Sequence, residues 1–230
     1  MKKLIIALSF LLCFAENLEG KGKRKVKKNP EIKVVAGNSF FENLKNMDFP
    51  DSCKLRKIVI GDEDAPNTVI ICSSFTCSHC RDFHQSVLPD FKKKYVDTGK
   101  AKVQIMFYVD DPGAMEAATL VRCLGKDSDE VVLDLQDKVY SKQKEWMSSK
   151  NPKKKLRSIF KGFGYDEKKI EKCIADKKIQ AGVMSDQKTM MHELNIHTIP
   201  AFVVNGKVHQ GKLSVEEIAA MFSDSSAKEK

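Results

Sequence analysis

The chain has 230 residues, of which 42% are hydrophobic and 31% charged, a balance typical of a soluble globular protein and not of a disordered one. The formal net charge of +9 comes partly from a basic run at residues 21–28. Such a run can bind nucleic acid or anionic lipid, but it lacks interleaved aromatic side chains, so we expect a solvated leader and no nucleic-acid partner.

Residues 1–15 have the three parts of a secretory signal. Lys2 and Lys3 are followed by an apolar stretch at residues 4–12 and a small-x-small cleavage site at residues 13–15. The stretch is shorter than the ~20 residues of a membrane span. Cys13 raises the alternative of a lipid anchor, although the leucines before it are bulkier than a lipobox prefers. We therefore expect a cleaved signal and an exported protein, with membrane anchoring less favoured.

Export places the cysteines in an oxidising compartment, where disulfides form and persist. Removal of the signal leaves six of the seven cysteines: Cys53, Cys72, Cys77, Cys80, Cys123 and Cys173. Six cysteines allow 15 connectivities, so cysteine counting alone does not fix the pairing.

Residues 16–56 are interpreted as the basic leader and an N-terminal extension, and residues 57–112 as the first half of an α/β domain. Apolar runs at residues 57–61, 69–75 and 103–109 predict strands. Between the second and third runs, apolar residues spaced three to four apart from Phe83 to Tyr95 predict a helix. Pro89 lies inside this pattern and should kink the helix.

Residues 113–195 contain only helical patterns, and a stretch of this length is a domain-sized insertion rather than a loop. Residues 196–223 form the second half, where Asn205-Gly206 predicts a type I′ hairpin. A capping box from Ser214 to Glu217 then begins a final helix. Residues 224–230 are expected to be a flexible tail. The predicted fold class is α/β with an all-helical domain inserted between a βαβ half and a ββα half.

A Cys-x-x-Cys pair stands at the predicted turn from strand to helix. Cys77 would lie at the helix start, where free N–H groups and the helix dipole favour a thiolate, and Cys80 one turn further in. The alternatives are an inert disulfide or half of a zinc site. No second Cys-x-x-Cys or His-x-x-x-His accompanies the pair, so we expect redox chemistry without a metal or other cofactor.

Three segments together resemble the thioredoxin fold, and more narrowly the DsbA family of thiol:disulfide oxidoreductases. They are Gly61 with Ala65-Pro66, the run from Phe75 to Cys80, and residues 198–206. The resemblance covers about residues 61–222 and implies the same helical insertion. It implies that Pro200 is a cis-proline facing the cysteines and that the backbone of Ile199 binds an extended substrate peptide.

The positions of these residues also predict their roles. Cys77, first in the motif and nearest the helix start, is the expected nucleophile, Cys80 the resolving sulfur, and His79 a donor or positive charge that lowers the pKa of Cys77. Ser78, which would face the substrate, is a departure because the family usually has proline there. A second departure is Ile71, at a position often held by a buried acid in the wider fold.

Cys123 and Cys173 lie on apolar faces of predicted helices in the insertion, as in a family branch with a second, structural disulfide. We expect that disulfide, with two buried thiols as the alternative. Cys72, on a core strand, is expected to be an inert thiol, and the sequence does not place Cys53.

These observations predict an exported, periplasmic dithiol oxidase that donates its disulfide to reduced secreted or periplasmic proteins. The family resemblance implies reoxidation by a quinone-linked membrane partner. Two alternatives remain open: a disulfide isomerase or reductase of the same fold, and a redox-inert peptide-binding module or holdase.

Overall fold

A computed structural model of the chain describes residue 49 and residues 51–223. The predicted signal, nearly all of the basic leader and the predicted tail lie outside the described residues. Among the helices that are described, none combines the length and the apolar character needed to cross a membrane.

A five-stranded mixed sheet forms the centre of the described region, with the order β1–β3–β2–β4–β5. Strands β2 and β3 run parallel, and the other neighbours pair antiparallel. The central strands carry the β-branched runs seen in the sequence, and Val69 and Ile71 of β2 are fully buried. The strands are β1 (Ile58–Ile60), β2 (Asn67–Ser73), β3 (Ala101–Phe107), β4 (Ala201–Val204) and β5 (Lys207–Gln210).

The helix after β2 is interrupted, as the position of Pro89 predicted. Helix α1 (Ser78–Ser86) ends at Val87, and a short helix α2 (Leu88–Phe91) continues into a π-helical segment (Lys92–Val96). Proline has no N–H to donate and its ring crowds the preceding turn, which explains the break. Phe83 of α1 packs against Phe202 of β4 with ring centroids 4.8 Å apart, so this helix covers one face of the sheet.

Helices occupy the chain between β3 and β4. They are α3 (Pro112–Leu124), α4 (Asp129–Ser141), α5 (Gln143–Met147), α6 (Pro152–Gly162), α7 (Glu167–Ala175), α8 (Lys177–Lys188) and a π-helical segment (Thr189–Glu193). Polar side chains cap the starts of five of them by accepting backbone N–H groups. These caps are Asp111, Ser128, Asn151, Asp166 and Asp176.

The chain returns to the sheet through the predicted hairpin. Asn205 and Gly206 both have positive φ angles, 47° and 83°, as the two central residues of a type I′ turn require. Helix α9 (Val215–Ser223) follows the capping box, in which the N–H of Glu217 donates to Ser214 Oγ at 3.1 Å. The order of elements confirms the predicted fold class, an α/β fold whose two halves flank a helical insertion.

Candidate functional site

The two predicted redox cysteines lie where β2 passes into α1. Cys77 is the N-cap residue of α1, and its Sγ accepts the backbone N–H of Cys80 at 3.1 Å. The N–H of Cys77 in turn donates to the carbonyl of Ser74 at 3.2 Å. An N-cap side chain partners an N–H group that the helix leaves free, and the helix dipole favours a negative charge there. The first sulfur therefore occupies a position that stabilises a thiolate.

The two thiols differ in acidity, and both are unbridged in this structure. The pKa of Cys77 falls from its ordinary value of 9.0 to about 7, mainly because the thiol of Cys80 donates a hydrogen bond to its sulfur. Cys80 is fully buried, and this burial raises its pKa well above the usual range. Cys77 is thus the thiolate former at neutral pH, and Cys80 keeps its proton.

His79 reaches Cys77 through its backbone. Its backbone N–H is among the donors that lower the pKa of Cys77. Its imidazole is exposed and, among the described residues, forms no hydrogen bond with that sulfur. Ser78 is also exposed beside the pair. The helix start, rather than the histidine ring, provides the hydrogen bonds to Cys77.

The loop before β4 forms a wall beside Cys77. The Ile199–Pro200 peptide bond is cis, and the carbonyl of Ile199 lies 4.0 Å from Cys77 Sγ. Gln210 of β5 holds this loop, because its Oε1 accepts the backbone N–H groups of His197 and Thr198, both at 2.9 Å. The backbone of Ile199 is thereby presented at the sulfur that would react.

Two side chains of the helical insertion form hydrogen bonds with residues 74–80, here called the redox turn. Gln143 of α5 donates through Nε2 to the carbonyls of Phe75 and Cys77, at 2.8 and 2.9 Å. The hydroxyl of Tyr140 on α4 donates to the carbonyl of Ser74 at 3.1 Å. Both side chains are buried, so the bonds are shielded from water. The insertion is therefore part of the site's construction, a role that sequence reasoning missed.

A buried, neutral histidine contacts the end of β2, directly before the redox turn. His84 is buried, and this burial lowers its pKa to about 3. Its Nε2 lies 3.2 Å from Ser73 Oγ and 3.1 Å from Gln136 Nε2, and its ring stacks on Tyr140 with centroids 4.7 Å apart. The uncharged ring packs as part of the core and does not place a positive charge near the cysteines.

Two acids directly after β3 were also missed from the sequence. Asp111 accepts a hydrogen bond from Thr76 Oγ1 at 2.6 Å, and Asp110 accepts one from Ser74 Oγ at 3.3 Å. Partial burial raises the pKa of Asp110, and its negative charge in turn raises the pKa of both Cys77 and Cys80. The carboxyl ends of parallel β2 and β3 meet at one edge of the sheet, and this could have predicted the proximity.

An open cleft of about 420 Å³ adjoins the redox turn at Thr76. Its walls come from the start of α3 and from the α5–α6 region. Besides Thr76, the lining residues are Asp111, Pro112, Gly113, Trp146, Met147, Lys150, Asn151, Pro152 and Lys153.

The remaining cysteines lie outside the redox turn. Cys123 of α3 and Cys173 of α7 form a disulfide, with Cα atoms 5.6 Å apart. Cys53 and Cys72 are buried free thiols, and burial raises the pKa of Cys72 to about 12. Within the described part of the chain, no group of three histidine, cysteine or acidic side chains could hold a metal ion.

Comparison with known sequences places this site in a family context. Residues 54–224 match the family model described as Thioredoxin. A Rickettsia conorii protein with the provisional name protein-disulfide oxidoreductase is 27% identical over 162 residues, covering 70% of this chain and 57% of the relative. Disulfide bond formation protein D of Bacillus subtilis is 26% identical, covering 70% of this chain and 72% of that protein. The chain spans 57% to 64% of the length of the first three curated relatives it matches.

Solved structures share the fold. The crystal structure of Wolbachia pipientis α-DsbA1 superposes with a TM-score of 0.67 at 24% identity, covering 83% of this chain and 99% of that one. Oxidised BdbD from Bacillus subtilis superposes with a TM-score of 0.60 at 22% identity, covering 74% and 92%. At these identities the likeness concerns the fold, which is the thioredoxin fold with the DsbA-type helical insertion.

Proposed function

The chain belongs to the thioredoxin family, and from this we propose that it is an exported thiol:disulfide oxidoreductase that donates a Cys77–Cys80 disulfide to folding secreted proteins. The observation that carries the proposal is the asymmetric thiol pair. One sulfur caps a helix with its pKa lowered to about 7, and the other is buried with its pKa raised. Curated relatives named as a protein-disulfide oxidoreductase and as a disulfide bond formation protein support the same reaction class.

The proposed reaction begins with the oxidised pair. A substrate thiolate attacks Cys77 Sγ, the Cys77–Cys80 bond breaks, and Cys80 leaves as a thiolate that takes up a proton because its pKa is high. A second substrate thiolate then attacks the substrate sulfur of the mixed disulfide. Cys77 departs as the stabilised thiolate, the substrate loses two electrons, and the pair of cysteines is left reduced.

Substrate binding is proposed at the wall beside Cys77. An extended peptide would pair with the backbone of Ile199, whose carbonyl lies 4.0 Å from the reactive sulfur. Pro200 and the exposed Ser78 are proposed to contact the same peptide. This arrangement would bring a substrate cysteine to Cys77 in either direction of exchange.

The location of the protein and the reoxidation of its cysteine pair are part of the same proposal. We propose export to the periplasm on the signal at residues 1–15, and reoxidation by a quinone-linked membrane partner that accepts the two electrons. The Cys123–Cys173 disulfide supports an oxidising compartment.

The redox potential of the pair, measured by equilibration with reduced and oxidised glutathione, tests the proposal. Because the Cys77 thiolate stabilises the reduced form, we expect a potential well above the roughly −270 mV of thioredoxin. Cys77→Ser should abolish oxidation of a reduced substrate, whereas Cys72→Ala, which removes a buried thiol on the adjacent strand, should retain it.

A potential near that of thioredoxin would instead favour a reductase. Repair of a scrambled substrate faster than oxidation of a reduced one would favour an isomerase. Activity in cells that survives loss of both cysteines would favour a peptide-binding module.

A further inference from the structure

The cleft beside Thr76 lies next to the redox turn and has no part in the reaction described above. Resting on the proposed function, we propose that it binds the substrate polypeptide beside its reacting cysteine, accepting a large apolar side chain and a neighbouring acidic one. The helical insertion would then carry a second surface that recognises the substrate, next to the backbone of Ile199.

The cleft and the Ile199 wall lie on opposite sides of Cys77. In the sheet, β2 stands between β3 and β4. Asp111 and Gly113, which line the cleft, follow β3, whereas Ile199 and Pro200 precede β4. A polypeptide whose cysteine meets Cys77 can therefore contact both surfaces at once. The wall offers backbone groups and the cleft offers room for side chains.

The lining of the cleft favours an apolar side chain. Pro112 and Pro152 contribute carbon surface, Trp146 lies in the lining although it is only 1% exposed, and Met147 is 40% exposed there, one of few large apolar side chains so exposed in the described region. Methionine adapts its shape to different apolar partners. The volume of about 420 Å³ is in the range of sites that hold small ligands or side chains.

The charges around the cleft favour an acidic neighbour. Lys150 forms no ion pair with any described residue, and Lys153 Nζ is 3.9 Å from a Glu116 carboxylate that Arg157 already binds at 2.7 Å. The one acid in the lining, Asp111, accepts from neutral donors at Thr76, Gly113 and Ala114 and forms an ion pair with neither lysine. The cleft therefore presents Lys150, which has no ion-pair partner among the described residues, and Lys153, which shares Glu116 with Arg157, and a carboxylate would complement these two positive charges.

Reduced peptides with two cysteines test this inference. The peptides carry Leu-Glu, Leu-Lys or Ser-Glu beside the first cysteine, on its N-terminal side in one set and on its C-terminal side in another. The measured quantity is the rate at which the oxidised protein oxidises each peptide, divided by the rate at which it oxidises dithiothreitol. In one of the two sets, we expect Leu-Glu to exceed both other peptides by about fivefold.

Three substitutions should change this preference in separable ways. Lys150→Glu and Lys153→Glu should each remove or reverse the preference for Leu-Glu over Leu-Lys, and Met147→Ser should reduce the preference for Leu-Glu over Ser-Glu. Lys207→Glu makes the same charge change at the first residue of β5, opposite Val204 and away from Pro200, and should leave both preferences intact.

The outcomes separate this inference from the proposed function. Failure of the unchanged chain to oxidise dithiothreitol would overturn the proposed function itself. Normal oxidation of dithiothreitol with no preference among the peptides, or with preferences that survive all three cleft substitutions, would overturn the cleft alone. A preference for leucine without any preference for glutamate would overturn the acidic part of the proposal.

Discussion

The two sulfurs of the redox pair stand three residues apart and still have opposite properties. Cys77 lies at the helix start, where it accepts hydrogen bonds from the thiol and N–H of Cys80, so its charged form is stabilised. Cys80 is one helical turn further in and fully buried, so its neutral form is favoured. Position along the first turn of α1 thus decides which sulfur attacks and which resolves.

The lowered pKa of Cys77 predicts a pH-dependent stability of the reduced protein. Between about pH 7 and pH 9 the folded chain has lost the Cys77 proton and the unfolded chain still holds it. Stability therefore rises with pH through this window and is lost as the pH falls through about 7. A lowering of the pKa by this amount corresponds to about 3 kcal/mol at most, and to about 2 kcal/mol between pH 6.5 and pH 9. Urea unfolding of the reduced protein at pH 6.5 and pH 9 measures the effect.

Cys77→Ser is the control for this measurement, because serine keeps an N-cap oxygen and does not titrate. The variant should show only the pH dependence of the remaining groups. Burial raises the pKa of Cys80 and Cys72 above their ordinary value of 9.0, so these thiols lower stability as the pH rises through about 9, and both are present in the variant as well. An equal pH dependence in the two proteins would refute the prediction.

Single residues also show where the sequence was informative and where it was not. The helix-start position of Cys77 followed from an apolar run and a helical pattern on either side of it. The acidic neighbour Asp110 was not foreseen, because it is 33 residues away from Cys77 in the chain and meets it only through the pairing of β2 with β3. Exposure of the His79 ring is likewise a property of the folded turn.

Local sequence patterns correctly predicted the hairpin turn and the helix break, because both depend on the backbone preferences of one or two residues. Asn205-Gly206 specified its turn because both residues tolerate positive φ, and Pro89 broke its helix because it lacks an N–H. The contacts of α4 and α5 with the redox turn could not be predicted in this way. Gln143 lies 66 residues from Cys77 along the chain, and its hydrogen bond depends on how the insertion packs on the sheet.

The packing of α5 against the redox turn can be tested by removing the side chain of Gln143. Gln143→Ala would leave the buried carbonyl of Phe75 without its donor and the carbonyl of Cys77 with only the N–H of Arg81, so we expect a loss of about 2 kcal/mol in the free energy of unfolding. The redox turn should also lose order, which hydrogen exchange of the Cys80 amide would report. Gln85→Ala, on an exposed position of α1, should change stability by less than about 0.5 kcal/mol. Similar effects of the two substitutions would contradict a supporting role for α5.

The whole molecule joins a sheet and a helical insertion that share one hydrophobic core. Phe75 of the redox turn contacts both parts, with ring centroids 4.9 Å from Phe107 of β3 and 5.2 Å from Tyr140 of α4. The insertion therefore stabilises the redox turn as well as enclosing it. Within the insertion, the Cys123–Cys173 disulfide closes a long segment of chain from α3 to α7.

Loss of that disulfide is expected to reduce stability without changing the redox chemistry. The bond closes a loop with a sequence separation of 50 residues, for which chain entropy gives a stabilisation of about 4 kcal/mol and engineered cases typically give less. Cys123→Ala with Cys173→Ala should therefore lower the free energy of unfolding by about 2–4 kcal/mol, measured by urea titration. The redox potential of the Cys77–Cys80 pair should stay the same, because none of the groups that shift the pKa of Cys77 belongs to the disulfide.

Two comparisons make this prediction specific. Treating the unchanged chain with a reductant that opens both disulfides, and then reoxidising only the Cys77–Cys80 pair, should reproduce the stability of the double-alanine variant. Cys53→Ala removes a buried cysteine that forms no disulfide and has no loop to open, so its cost should be limited to lost packing. A changed redox potential in the double-alanine variant would mean that the disulfide acts on the redox turn through the insertion, and the separation of structural and catalytic sulfurs argued above would be wrong.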